Sequence, residues 1–326
     1  MRRRALLLAS GAWLISAAAS SFAQGSKPPR RIAFVHPGPE TGWRSSLDAF
    51  RGALTALGTV DGRDVLIEAH WADDKTERLA SIASEVVASK PVVIVTATSA
   101  GVAAFKKVTS SIPIVFATAF NPVEQGFVAS LPHPGGNITG VIVYAGLTRK
   151  IVEIAREALP RARRFAMMIH DTDPAHRFAL DSFESTAKSF HFEPTIVRVS
   201  GATDLDRAFS ELARIRAEIL FLPNLAFSTS HRVQLAERAA RARLPLLSAS
   251  SIVAESGGLL SYGTVGEENY RRAASLVDRI LRGAKPGDLP VEQPERFQFI
   301  VNMKTAKAIG VKLSPTTMLR ATKVIE

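Results

Sequence analysis

From Arg31 onward, short and almost uninterrupted apolar runs alternate with amphipathic stretches. No other feature restricts the chain as much. The runs fall at residues 32–35, 65–67, 92–95, 114–117 and 138–143, then at 165–169, 196–199, 219–222, 244–247 and 259–262. Near-continuous apolar character marks strands covered on both faces, as in a parallel sheet. Between them, Leu47, Phe50 and Leu54 recur at helical spacing in 43–57, and Leu79, Ile82, Ala83 and Val86 make one stripe in 76–88. Strand and helix in alternation imply parallel strands joined by right-handed crossovers.

The same plan occurs twice. Residues 92–119 and 218–250 each carry a buried strand, a polar loop, a helix and a proline-initiated strand that ends in small polar residues. Pro113 and Pro245 open those second strands, where the missing N–H is tolerated. Matched halves on either side of about Val143 predict two similar lobes. Past 267 the alternation breaks. A long amphipathic helix spans 267–282, with Tyr270, Ala274, Val277 and Leu281 on one face. A Gly/Pro-rich connector follows at 283–290, then a strand at 297–301 and a short helix at 303–309. Crossings between lobes are expected near Val143, Gly263 and Leu289. They divide the chain into 24–142 plus about 264–288, and 143–263 plus about 289–326.

The first residues are a separate object. Arg2, Arg3 and Arg4 precede an apolar core over 5–19, and Ser21-Phe22-Ala23 offers small residues where a signal peptidase cuts. Residues 1–23 therefore read as a leader cleaved before Gln24. An uncleaved anchor fits less well, because the apolar core is short. Either general secretory or twin-arginine export is compatible with this leader. Loss of its three arginines lowers the net charge from +11 to +8, still basic. The charges are spread along helices, as at Arg232, Arg238, Arg241 and Arg243, which suits a solvated face. Without cysteine the chain has no disulfide, thiolate metal site, cysteine nucleophile or lipidated cysteine. An exported, cysteine-free α/β protein points to a Gram-negative periplasm. Nucleic acid is disfavoured, since no helix-turn-helix or zinc pattern is present.

Residues 112–141 concentrate the functional signal. A buried strand breaks into polar loop residues beside Pro122, and ligands of open parallel sheets settle outside the carboxyl ends of strands. Candidate ligand contacts are Thr98, Ser99, Thr118, Phe120 and Asn121 in the first half, with Asn224, Ser248 and Ser250 as second-half counterparts. Thr98 and Ser99 serve equally as pocket donors or as a helix cap, Ser99 being the natural N-cap. Asn121 either faces the ligand or fixes the turn before Pro122. Trp43, after the Pro37-Gly38-Pro39 loop, either stacks on a ring-bearing ligand or packs on its own helix. Tyr144 is a lid or a hinge wedge. Tyr262, Arg44 and Arg149 are weaker candidates, and His36 is the histidine placed nearest the cleft.

A search for catalytic constellations is negative. The seven histidines show no HExxH spacing, and neither a P-loop nor GxGxxG is present. Residues 96–101 lack the glycines of a GxSxG elbow. Asp73 with Asp74, and Asp171 with Asp173, suit caps or turns better than metal. No cofactor, no metal and no enzymatic activity are expected.

The chain resembles the ABC-transporter substrate-binding family that includes tryptophan- and tyrosine-binding members. The resemblance covers nearly all of the mature chain. It is carried by Asn121-Pro122-Val123, by Pro134-Gly135-Gly136-Asn137 with Thr139-Gly140-Val141, and by Leu289-Pro290-Val291-Glu292-Gln293-Pro294, in that order. It implies a type I periplasmic-binding fold, two lobes closing on a small molecule, and delivery to an inner-membrane ABC permease. Together with the candidate residues it suggests an amino acid or carboxylic acid, aromatic ones included, bound by a monomer. Two alternatives are a sensory module for a membrane receptor or kinase, and a secreted α/β hydrolase using Ser99.

Overall fold

The computed structural model describes residues 29–143, 146–171 and 176–326, with the backbone alone at 176–179, 181 and 226. The expected leader and Tyr144 lie outside the described residues.

The first sheet is built from β1 (Arg30–His36), β2 (Val65–Trp71), β3 (Val93–Thr96), β4 (Ile114–Ala119) and β5 (Ile138–Ile142), in the order β2-β1-β3-β4-β5. Every pairing in it is parallel. Its helices are α1 (Glu40–Ala56), α2 (Arg78–Ala88) and α3 (Thr98–Val108). The second sheet takes β6 (Arg164–His170), β7 (Glu193–Val199), β8 (Ile219–Leu222), β9 (Leu246–Ser248), β10 (Leu260–Thr264), β11 (Phe297–Asn302) and β12 (Lys323–Ile325). Its order is β12-β11-β10-β9-β8-β6-β7. From β7 to β10 this repeats the first sheet's order, so each sheet reverses direction once, at β1/β3 and at β6/β8. Such a switch point leaves a crevice at the strand carboxyl ends.

The helices of the second half are α4 (Leu147–Ala158), α5 (His176–Ser189), α6 (Leu205–Arg214), α7 (Ala226–Ser230), α8 (Arg232–Arg241) and α9 (Ser251–Glu255). The chain ends through α10 (Gly266–Leu281), α11 (Met303–Ile309) and α12 (Pro315–Arg320). Both faces of each sheet are covered, which is why its inner strands are mainly apolar. On the first sheet, Phe34, Phe50 and Val95 pack with Tyr270, Ala274 and Val277, so α10 lies beside α1 although it follows β10 in sequence. Val35, Ile94 and Phe116 pack with Ile82 and Phe105 on the other face. In the second half, Phe165, Phe183 and Phe221 form one core, and Met168, Leu212, Leu220 and Leu235 another.

The chain passes between the two halves from β5 to α4, from β10 to α10, and after α10, where Glu292 bridges to Val141 before β11 begins. Because the chain returns from α10 on the far side, β11 runs antiparallel to β10, a departure from an all-parallel arrangement.

Apolar runs underestimate the edge strands. β2 extends to Trp71 and β7 starts at Glu193 because an edge strand leaves one side exposed and needs fewer apolar residues. The short α7, α9, α12 and β12 carry too few residues for a period to register. Gly140 is required where β5 meets β4. With φ at +157°, a Cβ there would lie 2.1 Å from the Phe116 carbonyl oxygen.

Candidate functional site

β3 delivers Thr98 into the cleft in an unusual conformation. Its φ is +64°, a left-handed value that a β-branched residue adopts only under constraint. Its N–H donates to Thr118 Oγ1 at 3.2 Å, tying the β3 and β4 ends together. The N-cap of α3 is Ala97, so Ser99 is not the cap that the sequence suggests. Instead Ser99 Oγ accepts from Phe120 N–H at 3.2 Å and from Gln125 Nε2 at 2.9 Å, pinning the loop after β4 to α3. Asn121 also takes a positive φ, of 40°, and its amide donates to Glu124 at 3.2 Å. It shapes the turn before Pro122 and does not line the cleft.

Opposite stand the ends of β8 and β9. Phe221, Pro223 and Asn224 face Thr98, Thr118 and Phe120 across a small cavity of about 60 Å³ that Val143 and Leu147 complete. Ser250 lines the neighbouring space. Ser248 does not. Fully buried, it donates to the Leu222 carbonyl at 3.0 Å and accepts from Ser250 N–H at 3.1 Å, fastening the two strand-end loops.

The cleft therefore has two compartments that share Thr98, Thr118, Asn224 and Leu225. The first is walled mainly by apolar side chains. The second, about 280 Å³, reaches from Trp43 and Ser46 on α1 to Thr264, Asn269 and Tyr270 at the β10–α10 junction. Several polar atoms on this second wall are buried with no protein partner among the described residues: Trp43 Nε1, Thr98 Oγ1, Thr264 Oγ1, both amide atoms of Asn269, and the Tyr270 hydroxyl. Burial pushes the Tyr270 phenol upward, and the nearby Ser46 hydroxyl opposes this only in part, without hydrogen-bond geometry. No lysine or arginine lines either compartment among the described residues.

Trp43 packs on His36 with ring centroids 4.0 Å apart and planes tilted by 33°, so it both packs and faces the cleft. Gly38 makes this possible, since a Cβ there would lie 2.4 Å from Trp43 Nε1. His36 is completely buried. Burial lowers its pKa from 6.5 to about 3, and the Gly38 N–H donates to Nδ1 at 2.9 Å. It supports Trp43 and is not itself on the cavity wall. At the mouth, Ser230 Oγ donates to Asp74 Oδ1 at 2.9 Å, a direct link between the halves. Burial raises the Asp74 carboxyl, and the Ser230 hydrogen bond opposes that shift.

The weaker candidates lie elsewhere. Arg44 pairs with Glu40 and Asp48 along α1, and Arg149 stands over the Phe190 ring. Tyr262 stacks on Phe297 at 5.7 Å. Asp73 and Asp74 both take positive φ values, as turn residues do. Among the described residues no cluster of histidine and carboxylate side chains could hold a metal ion, and no helix is long and apolar enough to cross a membrane.

Sequence reasoning missed the β10–α10 wall. Tyr270 reads as a core residue of an amphipathic helix, and it is one. The signal available was Asn269 beside it, an amide set next to an apolar stripe and 1% exposed.

The model of the family described as ABC transporter substrate binding protein matches residues 39–325. A tyrosine-binding protein of Clostridioides difficile (strain R20291) is 27% identical over 271 residues, covering 82% of this chain and 78% of that protein. A crystal structure from Streptococcus pneumonia, described as an ABC domain in complex with L-Trp, superposes with a TM-score of 0.85 at 17% identity, covering 91% of this chain and 100% of that one. A ligand-free, open substrate binding protein with adhesive properties from Clostridium difficile gives 0.66 at 21% identity, covering 91% and 99%. The fold is that of the type I periplasmic binding proteins. This chain belongs to the ABC transporter substrate-binding protein family.

Proposed function

We propose that the protein is an exported receptor that captures a small amphipathic molecule between two lobes and presents it to an ABC importer in the inner membrane. The lobes are 24–142 with about 264–288, and 143–263 with about 289–326; the leader ends near Ala23 and the mature chain works in the periplasm as a monomer. The ligand is an amino acid or carboxylic acid, with aromatic side chains in range. The observation that carries this reading is the cleft, whose walls come from the strand carboxyl ends of both sheets and combine an apolar recess with a polar chamber. A ligand touching both walls stabilises the closed arrangement because only that arrangement contacts it from both sides.

Trp43, Thr98, Ser99, Thr118, Phe120, Asn224 and Ser250 make the first set of contacts. Ser99 supports binding over hydrolysis, because its hydroxyl is engaged by Phe120 and Gln125 and, among the described residues, no histidine hydrogen bond activates it.

Thermal unfolding of the chain from Gln24, refolded to strip bound ligand, tests the proposal against amino acids and aromatic acids. A ligand at about 100 times its Kd stabilises the native state by roughly 2.7 kcal/mol. At least one compound should do so, and Thr98→Ala or Asn224→Ala should weaken the effect. A flat response across both compound classes contradicts the proposed ligand class.

A further inference from the structure

We propose that the β10–α10 wall reads the polar end of the ligand through neutral groups that demand both a donor and an acceptor, so the site admits a net-neutral head and refuses a bare carboxylate. This rests on the solute-binding reading above and decides between the two ligand classes it allows.

Thr264 and Asn269 are 4% and 1% exposed, line the larger compartment, and keep Oγ1, Oδ1 and Nδ2 without a protein partner among the described residues. A buried polar group left unpaired is destabilising, so such groups gathered on one cavity wall mark where a ligand completes them. Their chemistry defines the complement. The Asn269 amide both donates and accepts, Trp43 Nε1 only donates, and the threonine hydroxyl does either. A carboxylate offers acceptors alone and would leave Asn269 Oδ1 unmet.

Charge points the same way. The wall holds no lysine or arginine among the described residues, but it does hold Glu255 and Glu267. These carboxylates engage the neighbouring cations Lys323 and Arg271, which are thereby not free to meet an anion. Burying a carboxylate with no countercharge is strongly unfavourable. A head that carries its own ammonium, or an amide, avoids an uncompensated buried charge. The shared residues Thr98 and Asn224 then direct the remainder of the ligand into the apolar recess against Phe120 and Phe221.

Isothermal titration of the refolded chain tests this. The twenty L-amino acids are screened first; each binder is then compared with its deaminated acid and with the neutral carboxamide of that acid. The amino acid should bind at least 10-fold tighter than the acid, with the amide retained. Asn269→Leu should remove most of that preference by weakening the amino acid and not the acid. Thr264→Val, an isosteric change, should act in the same direction if Asn269→Leu fails to fold. Asn269→Asp should weaken the acid further. An acid that binds as tightly as its amino acid, or an amino acid whose affinity survives both Asn269→Leu and Thr264→Val, overturns the inference and leaves the receptor reading standing. If acids bind and no amino acid does, the inference falls in the same way. If nothing in the set binds, the receptor reading fails at its ligand class and the inference falls with it.

Discussion

At the β8 end the cleft is walled by Phe221, Leu147 and Val143, which also belong to or pack on the core around Phe165 and Phe183. At the β10–α10 end it is walled by Thr264, Asn269, Tyr270 and Trp43, whose polar atoms are buried without protein partners. The first wall serves stability and ligand contact with the same atoms, since apolar burial rewards both. The second works against stability. Its unmet hydrogen bonds, and the left-handed backbone at Thr98 between the two compartments, are sustained by the surrounding fold and find a use only when a ligand is present. Substitutions on the two walls should therefore move stability in opposite directions while both impair binding.

The largest effect is expected on the apolar wall. Phe221→Ala opens a cavity in a core residue that is 1% exposed and should lower the unfolding free energy by about 3–5 kcal/mol, read by urea titration. A small loss there would separate the recess from the core and weaken the comparison.

Acid should find the polar end next. The His36 imidazole titrates near 6.5 when the chain is unfolded and near 3 when folded. The unfolded state thus takes up the proton first. The His36 contribution to stability is complete above pH 6.5 and is progressively lost as pH falls toward 3, with a slope of at most about 1.4 kcal/mol per pH unit. His36→Phe keeps a ring under Trp43 and should flatten that slope; an unchanged slope removes His36 from the account.

Thr264→Val should go the other way from Phe221→Ala. Removal of an unpartnered hydroxyl should raise ligand-free stability by about 1–3 kcal/mol while affinity falls. Loss of both stability and affinity would mean that the wall is ordinary core. The smallest effect is at the mouth. Ser230→Ala deletes the link to Asp74, worth about 0.5–1.5 kcal/mol, and should speed ligand release roughly 2- to 10-fold in stopped flow with unfolding unchanged.

Much of this architecture is legible in the amino-acid order because its physics is local. Buried runs such as 93–96 and 219–222 announce strands sheltered on both faces, and the matched plans around Pro113 and Pro245 announce the repeat. Strand-end residues followed directly, so Thr98, Thr118, Phe120, Asn224 and Ser250 all line the cleft. What could not be read depends on which partner each side chain finds in the assembled fold. Ser248 looks like a cleft residue until Leu222 claims its hydroxyl, and Asn121 until Glu124 claims its amide. The α10 wall was hidden for the same reason. That helix follows a strand of one sheet and packs on the other, so only the assembled fold brings Asn269 opposite Thr98.

The most direct measurement is a crystal structure of the refolded protein with the tightest compound from the thermal screen. The account predicts the compound between the lobes, its apolar part against Phe120 and Phe221 and its polar end within hydrogen-bond distance of Asn269 and Thr264. A compound seated outside that cleft, or one lying in it with Asn269 and Thr264 still unpartnered, would contradict it.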